Sequence, residues 1–275
     1  SSEVTAITAG NYHTCALLST GGVTCWGYGS DGELGDGTTT LWSNVPVDVS
    51  GLSTGVTAIA AGSYHTCALL TTGGVTCWGD NSFGQLGNST NTNSNIPVNV
   101  TGLSSGVTAI TAGGNHSCAL LSTGGVTCWG YNQWGQLGDS TTIDRHAPVN
   151  VTGLTTGVTA ISAGVDNSCA LLSSGGMKCW GFNQGSLGDN STTHRHTPVD
   201  VFGLTAGVGA TTTTTVAPST TAAAVVTTVS PAATTALAPN LPATGQDGSD
   251  SSRLALWVIT SGIATIMIAT RRRRI

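Results

Sequence analysis

An all-β fold of repeated four-stranded units, a β-propeller, is what the sequence predicts, and three observations predict it. The segment AGNYHTCALLSTGGVTCWG at 9–27 recurs with small changes at 61–79, 112–130 and 163–181, and Cys15, Cys67, Cys118 and Cys169 mark spacings of 52, 51 and 51 residues. A period near 50 belongs to propeller blades and exceeds that of the common helical repeats. No stretch of the repeats carries an apolar period of 3.6 residues; short runs rich in Val, Thr and Ala are separated by Gly instead. Composition agrees, because a chain of 275 residues with 39 Gly, 5% aromatics and much Thr, Ser and Asn suits short strands and turns.

Within the first unit the strands read as Val4 to Ala9, Thr14 to Leu18, Gly22 to Trp26 and Val45 to Val49. Ser19-Thr20-Gly21-Gly22 joins the second and third as a glycine-containing hairpin turn. The turn Asp31-Gly32-Glu33-Leu34-Gly35-Asp36-Gly37 leads through polar residues to Pro46, which fits an edge strand because an edge position can spare an N–H donor. The units run over about 4–51, 56–102, 107–153 and 158–204, giving a repeat domain at 1–205.

Charge placement narrows the function. Of eight basic residues, Arg253 and Arg271 to Arg274 lie near the end, leaving Arg145, Lys178 and Arg195 against 13 acidic residues. An acidic, nearly lysine-free domain cannot neutralise phosphates, so a nucleic-acid partner is excluded.

The second unit, with Ala61-Gly62, His65, Ala68-Leu69, Gly74-Val75, Trp78-Gly79, Asn81, Gly84-Gln85-Leu86-Gly87 and Pro97-Val98, resembles the regulator of chromosome condensation repeat. The resemblance covers residues 4 to 204 and implies a propeller, typically of seven blades; four units are present here. Further repeats and an export signal before Ser1 are therefore expected, the rival being a closed four-bladed ring. Guanine-nucleotide exchange, the activity of the family's namesake, is intracellular and does not suit an exported chain. Trp26, Trp78, Trp129 and Trp180 recur once per unit and are expected in the packing between blades, with ligand stacking as the alternative. His13, His65 and His116 recur too, but Asn167 breaks any ring of histidine ligands, and a hydrogen bond between turns is the expected role.

Each unit contains Cys-x9-Cys, pairing Cys15 with Cys25, Cys67 with Cys77, Cys118 with Cys128 and Cys169 with Cys179 on adjacent hairpin strands. Opposed residues there lie ~4.5–5.5 Å apart at Cα, within a disulfide's reach. Fourfold repetition favours one bridge per blade over the other pairings, and bridges imply an extracytoplasmic location. Buried thiols are the alternative; zinc would need closely spaced cysteine pairs, which are absent. No cofactor and no metal are expected.

Residues 208–240 are mostly Thr, Ala, Val, Pro and Ser without charge, an extended or disordered stalk, glycosylated or bare. The Asn-x-Ser/Thr triplets at Asn88, Asn115 and Asn190 are what an Asn- and Thr-rich chain produces by chance. Residues 241–275 then supply Leu241-Pro242-Ala243-Thr244-Gly245, a polar spacer, an apolar run at 254–270 and the arginine tail. Together these resemble the cell-wall sorting signal of Gram-positive surface proteins. The apolar run makes a transmembrane helix that rises ~25 Å, enough to span a bilayer, and the arginines stay cytoplasmic. The resemblance implies a sortase that cleaves after Thr244 and joins its carbonyl to a peptidoglycan amine, with membrane attachment preceding sorting.

Outside the cell the domain reads as a binding module for a protein or glycan. Variable turns after each Trp-Gly offer Tyr28, Phe83, Trp134 and Phe182 as ligand-facing residues. The alternative is an enzyme using Asp144, His146, Asp189, His194 and His196 as acid or base groups, although no nucleophile pairs with them in the sequence.

Overall fold

The computed structural model describes residues 3–204; the stalk at 208–240, the sorting signal at 241–275 and the apolar run at 254–270 lie outside the described residues. Sixteen strands form four antiparallel sheets, each a simple meander of consecutive strands. Blade 1 comprises β1 (Val4–Ala9), β2 (His13–Leu18), β3 (Val23–Tyr28) and β4 (Trp42–Asp48). Blade 2 comprises β5 (Val56–Ala61), β6 (His65–Leu70), β7 (Val75–Gly79) and β8 (Ser94–Asn99). Blade 3 has β9 (Val107–Ala112), β10 (His116–Leu121), β11 (Val126–Gly130) and β12 (Arg145–Asn150), and blade 4 has β13 (Val158–Ala163), β14 (Asn167–Leu172), β15 (Met177–Gly181) and β16 (Arg195–Asp200).

The fourth strand of blade 1 starts earlier than its sequence suggests, at Trp42 rather than Val45, because Tyr28 pairs with Trp42 and Gly27 with Ser43. Pro46 lies where the register shifts between Cys25 and Gly27, on an outer strand where a missing N–H costs no ladder bond. Cys15 and Cys25 stand opposite each other across β2 and β3, as do the matching pairs in the other blades. All four pairs are bridged, with Cα atoms 4.0–4.1 Å apart, slightly closer than is general for opposed residues of a hairpin.

The core lies between blades. The first cluster joins Cys15, Leu17, Val23, Cys25 and Leu34 of blade 1 to Val56, Ala68 and Trp78 of blade 2. The second and third repeat this arrangement around Trp129 and Trp180. Each of these indoles also donates to a carbonyl of the preceding blade: Trp78 Nε1 to Glu33 O, Trp129 to Gln85 O and Trp180 to Gln136 O, all at 2.9 Å. Packing is therefore the role of Trp78, Trp129 and Trp180, and their polar edge is satisfied as burial requires. Gly87, at φ +65°, lets Trp129 approach, since a Cβ there would sit 2.7 Å from its Nε1.

Three such interfaces serve four blades. Val4 is 56% exposed where Val56, Val107 and Val158 are 5%, Trp26 is only half-buried, and Phe202 of blade 4 is 76% exposed. The outer faces of blades 1 and 4 thus do not bury against each other, and the closed four-bladed ring is not formed.

Candidate functional site

In each meander the connection between the first and second strands emerges at the same end as that between the third and fourth. One face of the domain therefore gathers both kinds of connection. Tyr12 and Tyr64 come from the first kind; Tyr28, Trp42, Phe83, Tyr131, Trp134, Phe182 and His194 come from the second kind and its strand ends.

These rings meet across the blade junctions. Tyr12 lies 6.0 Å from Tyr64, Phe83 4.9 Å from Tyr131 and Trp134 5.3 Å from Phe182, between ring centroids. His194 stacks on Phe182 at 4.8 Å and tilts against Trp134. Within blade 1, Tyr28 contacts Tyr12 and Trp42. All four sequence-selected residues, Tyr28, Phe83, Trp134 and Phe182, thus lie on one face, but only Trp134 and Phe182 touch each other. Sequence reasoning missed their partners Tyr12, Tyr64, Trp42, Tyr131 and His194 as part of the same surface.

The loops that carry these rings are held by buried amides. Asn81, Asn132 and Asn183 are fully buried; Oδ1 of each accepts from the main chain of Leu86, Leu137 or Leu187, and Nδ2 donates to loop oxygens. Asn93, Asp144 and His194 occupy one equivalent position, each accepting from the backbone N–H of that asparagine. Asp189 pairs with Arg195, as Asp139 does with Arg145. Hydrogen bonds from Ser191, Arg195 and Asn183 keep Asp189 below the usual carboxylate range, against the opposing effect of desolvation. His146 packs over Gly84 and His196 over Gly135, each on the preceding blade, where a Cβ would lie 2.5 Å from the imidazole. The five acid–base candidates therefore serve equivalent structural positions in blades 3 and 4 and are not brought together. Among the described residues no three His, Cys, Asp or Glu form a group that could hold a metal.

His13, His65 and His116 are buried, with Nε2 2.8–2.9 Å from a hydroxyl of the next blade: Thr66, Ser117 and Ser168. Ser117 and Ser168 donate onward to Gln85 O and Gln136 O, so the two histidines that meet them donate from Nε2, and Nδ1 of each is left without a partner. Burial lowers these imidazoles to about 4 for His13, about 3 for His65 and about 4 for His116. They are neutral interblade ties.

Glu33 departs from this regularity. Gln85 and Gln136 are its equivalents; their Oε1 atoms accept from Phe83 N and Trp134 N, while their Nε2 atoms reach Asp80 and Asp166. Glu33 repeats the first bond, from Asp31 N to Oε2 at 2.9 Å, but its Oε1 is buried without a partner. Burial pushes this carboxyl up to about 7, Asp31 and Asp80 add to the rise, and the main-chain N–H groups of Glu33 and Asp31 oppose it.

A fan of blades packed face to face, with variable loops at one end, is a repeat scaffold with a loop-built surface. The sequence matches the Regulator of chromosome condensation (RCC1) repeat, at residues 4–33, 56–85, 107–136 and 158–185 with one description of the repeat and 20–69, 72–120 and 123–171 with the other. The chain belongs to that family. It is similar to the E3 ubiquitin-protein ligase HERC2 of Homo sapiens, 34% identical over 181 residues covering 64% of this chain and 4% of that one. The RCC1 domain-containing protein RUG3, mitochondrial, of Arabidopsis thaliana is 32% identical over 187 residues, covering 65% and 42%. Human WBSCR16 matches in structure with a TM-score of 0.65 and 27% identity, over 72% of this chain and 53% of that one. The chain spans less than half the length of these curated relatives.

Proposed function

We propose that the chain is a surface protein, joined by a sortase to peptidoglycan, whose blades present the aromatic face to an extracellular protein or glycan. One observation carries the binding half: aromatic side chains of successive blades meet at all three junctions of one face. Rings held at their edges by neighbours keep apolar area for a ligand at little cost in side-chain entropy. The anchoring half rests on the order Leu241 to Gly245, apolar run, arginine tail, and on the bridge in every blade, which suits an oxidising exterior. Binding is favoured over catalysis because Asp144, Asp189 and His194 are engaged in holding loops, and His146 and His196 in covering glycines.

The full chain, screened on mixed protein and glycan arrays, is expected to retain specific ligands without turning them over. Product formation that disappears in His194→Ala and His196→Ala would overturn this reading in favour of an enzyme.

A further inference from the structure

We propose that the face's junction between blades 1 and 2 accepts the cationic group of a Lys or Arg, so that the partner is a protein with a basic segment. The inference rests on reading the face as a binding surface and gives its ligand a chemistry.

Charge is the first ground. Among the described residues the cationic side chains Arg145, Lys178 and Arg195 are each tied to a carboxylate, Asp139, Asp200 and Asp189. Asp31, Asp80, Asp144 and Asp166 have no cationic partner among the described residues, and all four sit in connections of the aromatic face. The face thus combines half-exposed carboxylates with aromatic rings and has no free cation of its own.

Glu33 is the second, independent ground. By the repeat's equivalence its free Oε1 takes the place of the amide nitrogen that elsewhere reaches Asp80 and Asp166 in the loops. Blade 1 therefore offers an acceptor where blades 2 and 3 offer a donor, beside two further carboxylates, Asp31 and Asp80. An unpaired buried acceptor among like charges is costly, and a cation held at the half-exposed Asp31 and Asp80 compensates it through space. Over the same junction stand Tyr12, Tyr28 and Tyr64, with Tyr12 6.4 Å from Tyr28 and 6.0 Å from Tyr64. Tyrosine faces attract ammonium and guanidinium groups through their quadrupoles. A neutral sugar would stack on the rings but supply no charge to offset the carboxylates.

The test uses the full chain and two variants of the junction, Glu33→Gln and the double Asp31→Asn/Asp80→Asn, with Asp48→Asn on an outer strand as a control matched in charge to Glu33→Gln. Glu33→Gln installs the side chain that blades 2 and 3 already carry, so its melting temperature is expected at or above wild type. Probes are a short peptide of alternating Arg and Ser, the same peptide with Gln for Arg, and neutral chitin and mannan oligosaccharides. The Arg peptide is expected to bind, with affinity at least about tenfold weaker in each junction variant and within about twofold in Asp48→Asn. Unchanged Arg-peptide binding in Glu33→Gln, or an equal loss in Asp48→Asn, would overturn the cation site. Retention of the Gln peptide or of a glycan, lost when Phe83 and Trp134 become Ala, would overturn it while leaving the binding face intact. No face-dependent retention of any probe would overturn both.

Discussion

Lowering the pH from about 7.5 to about 4.5 is expected to destabilise the blades by on the order of 5 kcal/mol, a large part of the stability of an ordinary domain. His13, His65 and His116 titrate near 6.5 when the chain is unfolded but at about 4, 3 and 4 when folded, because burial disfavours the imidazolium. Below 6.5 the unfolded chain therefore binds protons that the folded chain refuses. Their stabilising contribution is complete above 6.5, falls through the window down to the folded values, and amounts to ~2–3 kcal/mol per histidine at pH 4.5. Glu33 acts with the opposite sign. Its folded value of about 7 lies above its unfolded one, so the fold gains a proton as the pH falls and recovers ~3 kcal/mol. Denaturant unfolding of the wild type should show this acid loss. A triple variant with Asn at positions 13, 65 and 116, the residue that blade 4 has as Asn167, should lose this decline and, with Glu33 still taking up a proton, hold or gain stability as the pH falls. Equal slopes in the two proteins would contradict the interblade role of the histidines.

The second large effect lies at the other end of the chain. Thr244→Ala should move nearly all of the protein from the wall fraction to the membrane fraction. The proposed sortase step needs its thiolate to attack the carbonyl of Thr244 within Leu241 to Gly245; without cleavage, the proposed membrane segment at 254–270 and Arg271 to Arg274 would hold the chain in the bilayer. Wild-type protein released from the wall should end at Thr244. Unchanged wall attachment of Thr244→Ala would remove the sortase from the account.

How much of this could be read from the chain differs by level. Repeat period, strand order and hairpin pairing were legible because they depend on local spacing: Cys15 faces Cys25 as the turn at Gly21 dictates. The start of β4 was not, since Leu41-Trp42-Ser43-Asn44 carries no strand alternation and is extended only because Tyr28 and Gly27 pair with it. At the candidate site, Tyr28, Phe83, Trp134 and Phe182 stood out as aromatic residues in variable turns. Their contacts did not, because Phe83 meets Tyr131 and Trp134 meets Phe182 across blades, some 50 residues apart. Residue type alone offered His146 and His196 to the alternative, enzymatic reading, and could not show that their imidazoles cover glycines of the preceding blade. Glu33 reads in the sequence only as one residue of the turn Asp31 to Gly37, and the burial of its free oxygen is what sets it apart.

The central claim is that the aromatic face is the working surface, and ligand retention by a face variant tests it most directly. The full chain with Tyr28, Phe83, Trp134 and Phe182 all changed to Ala, checked by near-ultraviolet circular dichroism for an intact fold, is to be compared with wild type on the ligands that the arrays identify. Loss of retention by at least about a hundredfold is the result expected of clustered aromatic anchors. Retention equal to wild type in a folded variant would contradict the claim and move the binding surface elsewhere on the blades.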